Sequence, residues 1–450
     1  MNIESTFGRA MASGLRRRET RSRPPRLALL ASALLLGGSA QALDFGPFTL
    51  TGFAKAEATR VSDYCPDCQL EKNENKQRFW ADELVQGKAY GAGTTHVTLF
   101  QPYLAAKFDL PQGFKLSGLL SQRFRDGKED FKGFWYEANV ALTHEDYGSV
   151  RVGAMTTRGW AFADYPYGTN VGVADAWGSS GAGYGILTRA VRYTSRVLDV
   201  AEGDLTLEAT YDMGKSGWKK NKPKFFELWA QFHKGDLVVD GMWQMARNGT
   251  PSAFGHGPFT GLTPFPSDDA QLGSSGQSIA MVMARYQVDS KLEISAGLRG
   301  NRWSGAYATI TTAGAAGSFD QWNQMFNVDW KKDLGGGVFR GYPATSMDLM
   351  LGARYRFGEW TVSTGMVHLG AAATANPSER GQTNAATINV VGLNYDYGKG
   401  IQLYGSAGMV NYARLGLSPL SAPDNKTFTN IDSRLTTRGT WLGAGAVYVF

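Results

Sequence analysis

From residue 49 to the carboxyl terminus the chain repeats one unit. A run of about nine to fourteen residues, in which apolar side chains alternate with small or polar ones, is followed by a connection that is long and short in turn. A side-chain period of two is that of a β-strand, not of a helix. Sixteen runs carry it: 49–60, 95–108, 114–124, 134–143, 149–158, 189–196, 205–213, 224–234, 237–247, 277–289, 291–303, 346–357, 359–369, 386–397, 401–414 and 437–450. Each has about the length that a tilted strand needs to cross a bilayer. The long connections (61–94, 125–133, 159–188, 214–223, 248–276, 304–345, 370–385, 415–436) alternate with tight ones such as 109–113, 144–148, 235–236 and 398–400. Strands joined by tight turns at one end and long loops at the other form the pattern of a transmembrane antiparallel β-barrel, because closure leaves no unpaired edge for lipid to meet. A soluble sandwich or propeller has little reason to segregate its loops so regularly.

Composition narrows the alternatives. The longest apolar stretch, 27–38, is too short for the ~18–20 residues of a spanning helix, and the mean hydropathy is −0.27. The 56 glycines exceed the usual share of ~7%, and two cysteines and five histidines are too few for a disulfide-rich or metal-rich scaffold. The basic balance of +6 belongs mostly to the amino terminus. Arginines 9, 16, 17, 18, 21, 23 and 26 precede the apolar 27–36, and Ala40-Gln41-Ala42 follows as a small-x-small cleavage pattern, so residues 1–42 are expected to be a signal peptide and 43–450 the barrel. Seven arginines and two glutamates lie in 1–42, which leaves +1 on the remainder. No broad basic face survives for nucleic acid.

Alternation also assigns faces. In 114–124, Leu116, Gly118, Leu120 and Phe124 share one side while Lys115, Ser117, Ser121 and Arg123 share the other. In 205–213, Leu205, Leu207, Ala209 and Tyr211 oppose Thr206, Glu208, Thr210 and Asp212. A charge turned toward lipid at mid-bilayer costs about 2–4 kcal/mol, so the polar sides are expected to line a wet interior. Both sides of 437–450 are apolar, which suggests contact with another subunit there. Trp135, Tyr136, Trp229, Trp243, Trp360 and Tyr448 sit near strand ends and read as interface girdles.

Two stretches carry a family resemblance. The chain ends Trp441-Leu-Gly-Ala-Gly-Ala-Val-Tyr-Val-Phe450, similar to the terminal signature of bacterial outer-membrane proteins. Tyr147-Gly-Ser-Val-Arg-Val-Gly153, a Gly/Asp-rich segment and then Arg189-Ala-Val-Arg-Tyr-Thr-Ser195 resemble the strands around the third loop of the Gram-negative general porins. The resemblance implies a trimeric, sixteen-stranded porin in the outer membrane, its third loop folded into the barrel. The chain departs from the family at Tyr165-Pro-Tyr-Gly168, where many general porins carry a Pro-Glu-Phe-Gly-like turn.

The segment 159–188 is rich in glycine and aromatics, as a loop packed against an inner wall would be. Its acids are Asp164 and Asp175. The inward positions Lys55, Lys107, Lys115, Arg123, Arg125, Arg151 and Arg192 supply a basic wall, and the two together would set a transverse field across a constriction. The constriction is assigned to Lys115, Arg123, Arg125, Arg151, Asp164, Asp175 and Arg192, with Arg123 and Arg192 as principal carriers of a mild anion preference. Cys65 and Cys68 are expected to close a local disulfide around Pro66-Asp67 in an oxidising compartment. No catalytic set, metal site or cofactor site stands out. Ser363 and His368 fall on opposite faces, and there is no Gly-x-Ser-x-Gly elbow. The expected function is passive diffusion of small hydrophilic or anionic solutes and ions through a homotrimer set in outer-membrane lipid. A channel selective for small aromatic or dicarboxylic acids is the alternative, and an outer-membrane enzyme or adhesin a distant third.

Overall fold

The computed structural model describes residues 42–61, 93–129, 135–159, 186–213, 224–247, 276–308, 328–333, 338–370, 373–374, 385–412 and 438–450. Sixteen long strands form the wall. They are β1 (Phe48–Val61), β2 (Gly93–Asp109), β3 (Lys115–Ser121), β4 (Glu137–His144), β5 (Gly148–Thr156), β6 (Ile186–Thr194), β7 (Gly203–Asp212) and β8 (Lys224–Lys234). The wall continues through β9 (Leu237–Arg247), β10 (Gly276–Gln287), β11 (Leu292–Ala308), β12 (Val338–Phe357), β13 (Trp360–Leu369), β14 (Ala386–Gly398), β15 (Ile401–Tyr412) and β16 (Arg438–Val449). Each pairs antiparallel with the next, and β16 returns to β1 from Phe53↔Val449 to Val61↔Trp441. Phe450 completes the seam: its N–H donates to the Gly52 carbonyl at 3.0 Å and its carbonyl accepts from Gly52 at 2.9 Å. Its ring packs outside against Tyr448 and Phe100, at centroid distances of 5.9 and 6.2 Å. The aromatic terminus is thus part of the seam.

The tight connections all lie at one end. Gly148, at the turn into β5, has φ +84°, and a Cβ there would meet the Thr194 carbonyl at 2.2 Å, so the glycine of the Tyr147-Gly148 motif is required by both backbone and space. Every expected run is a strand, with two informative departures. The run 114–124 is interrupted after Ser121, where the Gln122 side-chain oxygen accepts the Arg123 backbone N–H at 2.8 Å and takes it from the ladder. The wall then resumes at Phe124–Arg125. The run 149–158 ends as strand at Thr156, because the chain turns away there.

Burial follows the alternation. Leu120, Val140, Val152, Leu207, Tyr211, Leu298, Leu351 and Val391 are exposed on the outer face, while Ser121, Thr206, Glu208, Thr210, Asp212, Arg299 and Asp348 are buried on the inner one. This is the inverse of a soluble protein and fits a barrel whose outer band meets lipid. Part of the inner wall is apolar: Phe53, Val97, Leu99, Tyr103, Leu119 and Val447 cluster where β16, β1, β2 and β3 meet. Trp135, Trp243, Trp360 and Tyr448 are exposed outside as girdle residues should be, but Tyr136 and Trp229 are buried, and Trp229 shares the inward phase of Glu227. The girdle expectation is corrected for these two.

Candidate functional site

The inner wall has a mainly basic sector and an acidic one. Inward positions on β2 to β6 and the residues that follow β3 and β5 supply Lys107, Lys115, Arg123, Arg125, Arg151, Arg158 and Arg192. Those on β7, β8 and β9 supply Asp204, Glu208, Asp212, Glu227 and Asp240, and no Lys or Arg. The wall thus provides acids of its own, besides those expected from the third loop.

The sectors meet at the root of that loop. Past β5, Thr157 is buried and the chain leaves the plane of the sheet. The Arg158 backbone N–H donates to both carboxylate oxygens of Glu227, at 2.9 and 3.0 Å. Glu227 stands on β8, three strands away and about 14 Å around the wall at about 4.8 Å per strand. The chain therefore crosses the inner faces of β6 and β7 and enters the bore. The Arg158 guanidinium forks onto the two oxygens of Glu208, and its Cζ lies 4.7 Å from the ring centre of Trp229. Arg192 donates to Thr210 Oγ1 at 2.7 Å, to the Thr156 carbonyl at 2.8 Å and to Glu227 at 3.5 Å. Gln244 Nε2 donates to the second Glu227 oxygen at 2.6 Å, and Thr194 Oγ1 to Glu208 at 2.6 Å. Removing one partner of such a buried set costs about 3–5 kcal/mol, because the other charge is stranded.

The basic sector is built differently. Arg151 and Arg192 are direct cross-strand neighbours, a like-charge pairing that is unfavourable unless each turns elsewhere. Arg192 turns to the acids, and Arg151 donates to Asn139 Oδ1 at 2.7 Å. Arg123 is buried beside Tyr136, its Nη1 3.4 Å from the phenol oxygen and its Cζ 5.6 Å from the ring centre. Arg125 is half-buried and faces Leu99 across the ladder. Lys115 opens β3 at the tight-turn end, about 26 Å along the strand from Arg123 at about 3.3 Å per residue. The two share a wall without sharing a ring. Asp164, Asp175, Cys65 and Cys68 lie outside the described residues.

Apart from Lys55, which the strand phase already placed inward, the following inward charges had not been expected from the sequence. Glu137 accepts from the Thr156 N–H at 3.2 Å and hydroxyl at 3.4 Å, behind the loop root. Across the barrel, Arg299 bonds Asp348 at 2.8 and 2.7 Å, and Asp348 also accepts from Asn301 and from the Gly370 N–H. Arg354 pairs with Glu293 at 2.8 Å, and Lys55 with Glu57 at 3.0 Å, where the Tyr404 hydroxyl also donates. The inward phase of each strand marks these residues; their pairing depends on register. Among the described residues no three potential metal ligands cluster.

A closed barrel of sixteen strands, apolar outside, charged within and entered by its own chain at Arg158, is a membrane channel. The model of the Gram-negative porin family matches residues 28–414, and the chain belongs to that family, whose place is the outer membrane. Solved structures agree in fold. The anion-selective porin from Comamonas acidovorans superposes with a TM-score of 0.56 at 13% identity, over 90% of this chain and 99% of that one. The trimer form of OmpT, an outer-membrane protein of Vibrio cholerae, gives 0.53 at 12%, over 90% and 99%. Salmonella typhi OmpF, in a complex with daunomycin, gives 0.53 at 12%, over 91% and 100%. No curated protein matches the sequence.

Proposed function

We propose that this protein is a passive porin for small hydrophilic solutes and ions, with a mild anion preference. The observation that carries the reading is the loop root. A segment drawn into the bore at Arg158 narrows the channel, and a narrowed, charge-lined channel sorts solutes by size and sign. The preference is assigned to the basic sector. Arg151 and Arg125 are half-buried, whereas Arg123 and Arg192 are buried, so the first two are the better carriers of a field felt by passing ions. The acidic sector offsets part of that field and keeps the preference mild. The anion selectivity printed for the Comamonas porin is consistent with this assignment but belongs to that protein. Single-channel recording in planar bilayers tests the reading: stepwise, ohmic openings are expected, and a protein that inserts without conducting would refute it.

The working unit we propose is a homotrimer. Around the β16–β1 seam the outer face carries the small residues Ala54, Ala56 and Ala446 beside Phe100, Phe124 and Tyr448, which border a groove of about 790 Å³ that a second copy could fill. The trimer form of Vibrio OmpT shows the fold in that state. Light scattering of unboiled protein should give three chains per particle, and a monomer mass would refute the assembly. Residues 1–42 are proposed as a cleaved signal peptide, so the amino terminus of the exported protein should be Leu43. Cys65 and Cys68 are proposed as a disulfide remote from the constriction: they should resist alkylation until reduced, and changing both to Ser should leave conductance within about twofold.

A further inference from the structure

Where the acidic sector ends, the inner wall carries a group of methionines. Met242 of β9 and Met281 of β10 are direct cross-strand partners, and Met283, two residues further along β10, stands opposite Asp240. All three methionines share the inward phase of Asp240 and Gln244, and all are buried. Their Cβ atoms are therefore about 5 Å apart across the ladder, about 7 Å apart along β10 and about 7–8 Å apart on the diagonal, within reach of long side chains. Gly297 of β11 pairs with Met283 on one side and with Met350 of β12 on the other. Having no side chain, the glycine leaves nothing on the rung between Met283 and Met350, which is also buried and stands about 10 Å away around the wall.

Methionines in a core usually do no more than pack. The surroundings of this group suit a bound ion as well. Asn301 of β11 pairs with Ile279 and so lies diagonal to Met281. It is only 3% exposed. Its Nδ2 donates to Ser346 Oγ at 3.0 Å and to Asp348 Oδ2 at 2.8 Å, both on β12, whereas its Oδ1 accepts no hydrogen bond among the described residues. A buried acceptor left empty costs about 1–3 kcal/mol, and a cation satisfies it as a donor would. The charges alongside do not oppose a cation. Arg299, the cross-strand partner of Met281, is paired with Asp348 at 2.7 Å, and the Asp240 carboxylate, which accepts from Gln231 at 2.8 Å, stands opposite Met283. Imidazole, thiolate and carboxylate ligands form no cluster among the described residues, so the chemistry on offer is that of the thioether. Thioether sulfur is soft and neutral, and it prefers soft monovalent ions to Na⁺, Mg²⁺ or Ca²⁺.

We propose that Met242, Met281 and Met283, with Met350 as a fourth donor and the Asn301 oxygen at the edge, form a site in the barrel wall for a soft monovalent metal ion of the Cu(I) or Ag(I) kind. Such an ion would be taken from the bore and held by sulfur, a role beside passive diffusion. A thioether has no proton to lose, so capture should be nearly independent of pH, unlike capture by imidazole or thiolate. The site rests on strand register and burial, and not on the ion preference or the assembly.

The test uses the full-length protein in mild detergent and nitrate buffer, because chloride precipitates silver. The parent carries Cys65→Ser and Cys68→Ser so that no thiol competes, and the probe is Ag(I), which needs no reductant. Equilibrium dialysis against excess Mg²⁺ should find one tightly held Ag(I) per chain, about equally at pH 5 and pH 7. Met281→Leu with Met283→Leu, nearly volume-conserving changes, should weaken retention by about tenfold or more. Met155→Leu, at a buried methionine of a separate cluster, should leave retention as it is. X-ray absorption at the silver edge, which needs no further variant, should find sulfur as the nearest neighbour. Equal retention by the double Leu variant, nearest neighbours of oxygen or nitrogen alone, displacement by Mg²⁺, or loss of the ion at pH 5 would overturn the assignment.

Discussion

The two charged sectors of the wall differ in what surrounds their charges. On β7 to β9, Glu208, Asp212, Glu227 and Asp240 are all buried, and Glu208 and Glu227 collect donors from Arg158, Arg192, Thr194 and Gln244. Asp204 is the half-buried exception there, and on β2 to β5 Lys115, Arg125 and Arg151 are half-buried and Lys107 is exposed, with Arg123 the buried exception. Charges of the first kind are largely consumed locally and hold the chain that enters the bore. Charges of the second kind keep contact with water. A count of inward charges would treat the sectors as equal and opposite, yet their surroundings differ.

Neutralising the buried acids should have the largest effect. Glu208→Gln with Glu227→Gln strands Arg158 and Arg192, and should lower the unfolding free energy by about 3–5 kcal/mol in urea titrations of the detergent-solubilised barrel. The released loop root should also raise single-channel conductance. A variant with wild-type stability and conductance would show that the root is held by something else.

Neutralising the other sector should do the reverse. Arg125→Gln with Arg151→Gln is expected to change stability by less than about 1 kcal/mol, since half-exposed charges contribute little, while removing most of the anion preference. The effect should be larger in dilute salt, because screening acts over about 10 Å at 0.1 M. Unfolding and reversal-potential measurements on the same preparation separate the two outcomes. An unchanged reversal potential would make the basic sector structural as well.

The smallest effect is expected outside both sectors. In the turn between β10 and β11 the Asp289 carboxylate accepts the backbone N–H groups of Leu292 at 2.8 Å and Lys291 at 2.7 Å, which hold its pKa below the ordinary aspartate value. Because the folded value is the lower one, the carboxylate's contribution is complete above the ordinary value and fades as pH falls through the lowered one. Asp289→Asn should therefore cause a small loss of stability at neutral pH that disappears as the pH falls below about 4. A large loss of stability at neutral pH would show that the turn does more than close a hairpin.

Much of this arrangement is legible in the chain. Period-two runs and alternating loop lengths are local signals, and they locate all sixteen strands and the inward faces of β3 and β7. The break at Gln122 is not legible, because it depends on one side chain taking a backbone N–H from the ladder. The seam between β1 and β16 joins residues hundreds of positions apart, beyond the reach of any local pattern. Trp229 could have been placed inside by the phase it shares with Glu227; proximity to a strand end was the weaker guide. The role of Arg158 was hidden for a different reason. Its run looks like continuing strand, and only the tertiary position of Glu227 and Glu208 shows where the chain turns.

The proposed ion preference comes from the sector whose charges remain in contact with water. Its most direct test is the reversal potential of the wild-type channel across a potassium chloride gradient in planar bilayers, repeated at decreasing ionic strength. A potential of anion-preferring sign that grows as salt is diluted is expected. A cation-preferring sign at low salt would contradict it, since the acids of β7 to β9 would then dominate the field.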